Sequence, residues 1–201
     1  MVQAHWYKFK TNYIGEKMTK HKVFISFHHA NDIQYKKKFI EKFGNYFINK
    51  SVDEDEYGDV LSDEYVKRLI REDKISDCSV VVVLIGAETY KRKHVDWEIY
   101  AGLSGKAGGY SGLIGVLLPS YYSSSENKDL NGSGYNSSTI PPRLNDNLKS
   151  GYSFVYKWES ASCIHSNGNY AIEDWIDEAF NRKNNESDKI DNSRKQFERN
   201  R

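Results

Sequence analysis

The chain has 201 residues, enough for one domain with a sizeable core. Apolar residues make up 38% and charged residues 28%, with a mean hydropathy of −0.75, the profile of a water-soluble globular protein. Its 29 basic and 28 acidic side chains leave a formal charge of +1, so the electrostatic footprint of a nucleic-acid binder is missing.

In chain order, residues 1–20 mix polar and aromatic types without the apolar stretch of a signal peptide and are expected to be an N-terminal extension. KVFISF (22–27) reads as the first strand and ends at the polar stretch His28-His29-Ala30-Asn31-Asp32, where Asn31 or Asp32 can cap a helix. That helix carries an apolar stripe of Ile33, Phe39, Ile40, Phe43 and Phe47. A weaker second strand is expected over 46–52, then an acidic loop at 53–59, then a helix capped by Ser62 with Tyr65, Val66, Leu69 and Ile70 facing inward. SVVVVLI (79–85) is a β-branched run without alternation, the pattern of a strand buried on both faces of a parallel sheet.

An exit loop (86–93) leads to a third helix over 94–103, and a Gly-rich turn leads to a fourth strand at 113–118, ended by Pro119. Residues 120–150, rich in Ser, Tyr, Asn and Gly, form a long loop expected to be a lid, a partner surface or a disordered segment. A fifth strand follows at 152–158 and a last helix at 170–180, with Ile172, Trp175, Ile176 and Ala179 on its inner face. From Arg182 onward the charged tail reads as a solvated helix or disorder. The domain is therefore expected over 21–181, flanked by the extension and by the tail at 182–201.

Strands alternating with helices imply a doubly wound α/β fold: a five-stranded parallel sheet with helices on both faces. Ligands of such sheets bind beyond the carboxyl ends of the strands, where the strand order reverses. The loop after the first strand (26–32) and the segment after the third (86–98) should meet there.

Glu98 is the leading candidate. Val95, Ile99 and Leu103 define the buried stripe of the third helix, and Glu98 sits beside it with the small residues Ala101 and Gly102 leaving space alongside. A partly desolvated carboxylate there can hold a sugar hydroxyl or steady a developing positive charge; the plainer alternative is a surface glutamate favoured by the helix dipole. Trp97, about 100° around the helix, can stack on a flat ring or serve as a packing anchor. His28 and His29 leave the first strand on opposite sides and so do not readily share a metal; one of them can contact a ligand. Glu88 and Tyr90 are second-tier candidates. The acidic loop lacks calcium-loop spacing, and Cys78 and Cys163 form neither a disulfide framework nor a zinc motif, so no metal is expected. Phe27-His28 and Gly86 stand where a phosphoacceptor receiver needs acids, and dinucleotide fingerprints, P-loops and hydrolase elbows are absent.

KVFISFHHAND, DVLSDEYVKRLI and ISDCSVVVVLIGAETYKRKHVDWEIYAGL together resemble a TIR-like domain of the bacterial antiphage-defence group, especially the TIR-like component of the Thoeris system, over roughly residues 22–118. The resemblance implies a flavodoxin-like, TIR-like fold and cleavage of the nicotinamide–ribose bond of NAD+ by a glutamate on the helix after the third strand, which is Glu98 here. It further implies a cyclic ADP-ribose isomer that activates a separate NAD-consuming effector, a partner reached only through this diffusible nucleotide. NAD+ is then the substrate and no cofactor is required. Phe27, His28, Asp32 and Trp97 become candidate NAD+ contacts. The chain departs from common TIR sequences in placing Val95 where a tryptophan usually precedes the glutamate by three residues.

Two other functions compete: a non-catalytic adaptor acting by self-association, and a nucleoside deoxyribosyltransferase-like enzyme whose glutamate attacks a sugar carbon. A homo-oligomer is left open, neither nucleic acid nor membrane is an expected partner, and the cytoplasm is the default location.

Overall fold

The computed structural model describes residues 20–51, 62–70, 72, 75–105, 109–128, 132 and 134–201. The extension, apart from Lys20, and the acidic loop lie outside these residues. The β-branched run forms the middle strand of the sheet, β3 (Val80–Ile85), with every residue buried. Around it stand β1 (Lys22–Ser26), β2 (Ile48–Asn49), β4 (Gly112–Leu117) and β5 (Phe154–Lys157), in the order β2-β1-β3-β4-β5, all parallel. The order reverses between β1 and β3, as a doubly wound sheet requires.

Alternate residues of the central strands enter two cores. Phe24, Val81, Val83 and Leu113 face α2 (Asp63–Leu69), α3 (Lys93–Gly102) and α4 (Pro142–Lys149). Val23, Val80, Val82 and Ile114 face α1 (His29–Phe43) and α5 (Ala171–Asn185). Ile172, Trp175, Ile176 and Ala179 are the inner face of α5, as their spacing predicts. Close approach sets one glycine: a Cβ on Gly112 would strike the carbonyl of Ala179, so α5 rests directly on β4.

Several local expectations change. The cap of α1 is His28, whose Nδ1 accepts from the Asn31 amide at 3.3 Å, so Asn31 and Asp32 fall inside the helix. Only two residues of β2 pair with β1. Ser62 caps α2 through the Tyr65 amide as expected, but Tyr65 itself is exposed, because the inward line runs through Val66 and Ile70. Gly102 leaves no space beside Glu98; its added Cβ would press on Val81 at 2.8 Å.

The segment 120–150 also differs from a bare loop. Buried Tyr121 exchanges hydrogen bonds with Asn136 and Thr139, buried Asn127 donates to the carbonyls of Ala87 and Tyr121, and Pro142 opens α4. The polar residues that suggested disorder are the ones that satisfy its irregular backbone.

The charged tail is not solvated over its length. After α5, residues 190–201 return across α4 and α3: Asn192 and Arg194 bond Arg143 and Asp146, and Phe197 is buried. The Arg143 guanidinium lies fully buried against Asp96 of α3 at 2.9 Å, and the same carboxylate accepts the Phe197 amide at 2.8 Å. Removing one partner of such a pair strands a buried charge. Arg143→Met is therefore expected to cost about 3–5 kcal/mol, read as a lowered midpoint in urea unfolding.

Candidate functional site

The geometry of the site begins with β1. Its alternation sends Phe24 and Ser26 toward the α3 side, while Phe27 lies at the strand's carboxyl end. Ser26 is completely buried and its hydroxyl donates to Glu98 Oε2 at 2.6 Å. Glu98 is only 2% exposed, so its carboxyl is more deeply desolvated than its spacing beside the stripe suggested. Burial pushes its pKa up from the ordinary 4.5 to about 8, against the opposing pull of the Ser26 hydroxyl and the Lys36 ammonium. At neutral pH the resting carboxyl is mainly protonated. Lys36, itself buried, stands over the Phe27 ring at 5.5 Å and brings positive charge to this corner.

Above this pair lies a cleft of about 250 Å³ at the switch point between β1 and β3. It is lined by residues 27–30, by Arg92, His94 and Val95 at the start of α3, and by Asn200 of the tail. The two expected segments thus meet. Glu98 follows His94 by four residues, one helical turn further in, and does not line the cleft. The volume is below the ~300–1,000 Å³ usual for small-molecule sites.

Phe27 and His28 are at the cleft. Phe27 stacks on His29 with centroids 4.3 Å apart. His28 is buried, and burial followed by the charge of Arg92 depresses its pKa, so the ring is neutral near pH 7. With Nδ1 accepting from Asn31, the proton of the neutral ring resides on Nε2.

Asp32 and Trp97 are not at the cleft. Asp32 is buried under Ser120, which donates to its Oδ1 at 2.8 Å, and a Cβ on Gly86 would collide with the carboxylate. Burial raises its pKa. Asp32 thus locks the first turn of α1 to the ends of β3 and β4. Trp97 is an anchor: its indole N–H donates to the Phe197 carbonyl at 2.8 Å, and Lys67 and Lys93 lie about 5 Å from its ring, at 4.9 and 5.0 Å. With 1% exposure it offers no face to a nicotinamide or adenine.

Glu88 accepts from Lys91 and, to a lesser degree, Asn31, which lower its pKa from the ordinary value, and Tyr90 donates to Glu126. Both serve the exit loop. Among the described residues no group of three or more His, Cys, Asp or Glu could hold a metal ion, and no helix is long and apolar enough to cross a membrane.

Ser26, Arg92 and His94 lie within the two segments expected to meet but were not singled out, and Lys36 and Asn200 lay outside them. For Ser26 the signal was there, since it shares the strand face of Phe24. The tail that carries Asn200 gave none.

Residues 24–123 match the family model described as "Thoeris protein ThsB, TIR-like domain". No curated protein matches the chain.

Folding raises the Glu98 pKa, so the folded state keeps a proton that the unfolded chain releases above about pH 4.5. That contribution to stability is fully present below pH 4.5 and is lost as pH rises through about 8. In thermal melts from pH 5 to 8, wild type should therefore lose stability relative to Glu98→Gln, whose amide does not titrate.

Proposed function

Because the chain belongs to the TIR-like family of Thoeris protein ThsB, and so to antiphage defence, we propose that it is the enzyme cleaving NAD+ when phage infects. On this reading the bond between nicotinamide and ribose breaks, nicotinamide leaves with the bonding electrons, and a nucleophilic atom of the adenosine half closes on the ribose carbon. The product, a cyclic ADP-ribose isomer, is a second messenger for a separate NAD-depleting effector.

One observation carries the reading: a carboxyl on the helix after the third strand, buried one turn below a cleft at the sheet's switch point and fixed by Ser26. A carboxylate so placed, away from water, stabilises an oxocarbenium-like transition state far better than one in solvent. Its raised pKa fits this work. The nicotinamide ring of NAD+ bears a positive charge, and a cation brought near the carboxyl favours its ionised form. The substrate thereby generates the negative charge that its own transition state needs, and exclusion of water favours cyclisation over hydrolysis.

A second reading draws on the same burial. A glutamate only 2% exposed beneath a small cleft also suits a non-catalytic adaptor that self-associates. The transferase reading would use this same buried carboxyl to attack a sugar carbon, and no further observation favours it.

Nucleotide mass spectrometry of phage-infected cells separates the two. Wild type should accumulate nicotinamide and a cyclic product, and Glu98→Gln should lower that product at least ~100-fold. Equal product from both strains removes Glu98 as the catalyst; protection without product from either supports the adaptor. Where turnover is measured in vitro, kcat/KM should rise with pH up to about 8, because the ionised carboxylate is the active form in the free enzyme.

A further inference from the structure

The end of the chain is held in two unequal parts. Up to Phe197 it is anchored by half-buried and buried groups: Arg143 to Asn192, Arg194 to both oxygens of Asp146, and Asp96 and Trp97 to the backbone of Phe197. Beyond Phe197 two hydrogen bonds reach the cleft, and the Arg201 guanidinium rests 4.0 Å from the centroid of the Phe197 ring. Asn200 Oδ1 accepts from the Lys93 amide at 2.9 Å, and the Arg201 amide donates to the Lys91 carbonyl at 2.9 Å. Two such bonds, the first of them exposed, are modest constraints.

Asn200 also occupies a chemically telling place. Arg92, the residue that should cap α3, makes no capping bond from its side chain, so the first amides of a ten-residue helix depend on other acceptors. Asn200 provides one from more than a hundred residues away, and it does so while forming part of the cleft wall. The amides at a helix start are where an anionic group is best accepted. The oxygen of Asn200 holds that position at the mouth, and on the same wall His28, 5% exposed, leaves its Nε2 without a hydrogen-bond partner among the described residues, a second polar group for an anionic ligand. With Asn200 in place the cleft holds only about 250 Å³, and Glu98 lies a turn deeper.

We propose that residues 198–201 are an autoinhibitory flap, held shut by the Asn200 cap on α3, which lifts to admit a phosphate-bearing dinucleotide to Glu98. This rests on the NAD+-cleaving reading for its substrate, though not for its mechanics. The flap and its anchor divide the labour: the anchor keeps the end of the chain beside the cleft, so closing is intramolecular and needs no second molecule. Displacement of a few weakly held residues then turns the enzyme on.

Substitutions at Asn200 give effects of opposite sign. Asn200→Ala removes the acceptor and should raise NAD+ turnover by uninfected, purified protein about 2- to 10-fold. Asn200→Asp puts a full negative charge at the helix start and should lower it about 2- to 5-fold. A chain ending at Glu198 should be the most active. Hydrogen exchange at the Lys93 amide should quicken in the Ala variant and slow in the Asp variant, whether or not turnover is seen. Misfolding cannot produce effects in both directions. If wild type cleaves NAD+ in infected cells yet the Ala variant and the shortened chain are no faster than wild type when purified, the flap is overturned. If no form cleaves NAD+ even in infected cells, the function has failed, and calorimetry with ADP-ribose decides the flap. Tighter binding by the shortened chain supports it; equal binding overturns it.

Discussion

The carboxylate of Asp96 lies buried between three stretches of chain that have no sequence proximity. It takes the Arg143 guanidinium from α4 and the Phe197 amide from the tail while sitting in the first turn of α3. A buried charge left without partners is severely destabilising, so wherever α3 goes, α4 and the tail must follow. This constraint explains why a long polar segment and a charged tail are folded onto the domain. It also fixes the rotation of α3, because Asp96 can meet its partners in only one orientation of the helix.

That rotation sorts the three consecutive residues Asp96, Trp97 and Glu98 to different work. The first two face α4, the tail and the lysines around the indole, and Glu98, a further 100° around, is pressed against β1 and Ser26. A tryptophan next to the candidate acid therefore does not imply a tryptophan in the substrate site. The surfaces behind the helix hold it rigidly, and such support is what a precisely placed reacting group needs.

Most of the fold was legible because its signals are local. Unbroken β-branched runs such as 80–85 and the stripe Ile172, Trp175, Ile176, Ala179 report burial directly through their periods. Glu98 could be picked out by its place beside a stripe, and the depth of its burial could not, since that depends on β1 crossing above it. Trp97 and Asp32 were misplaced for a related reason: their partners, Phe197 and Ser120, are distant in sequence and of unremarkable type. The tail was illegible because its composition reads as solvated while a handful of its side chains meet buried counterparts. Polar residues in 120–150 misled in the same way, by hydrogen bonding with the backbone where composition alone suggested solvent.

The position of Arg201 has a practical side. Its amide is bonded to the Lys91 carbonyl at the rim of the cleft, so any chain continuing past it, whether a fused reporter, an affinity handle or a linker, starts at the entrance to the site. A protein purified by a handle at that end carries a bulky appendage at the rim of the cleft, so ligand binding measured on it reflects the appendage as well as the cleft.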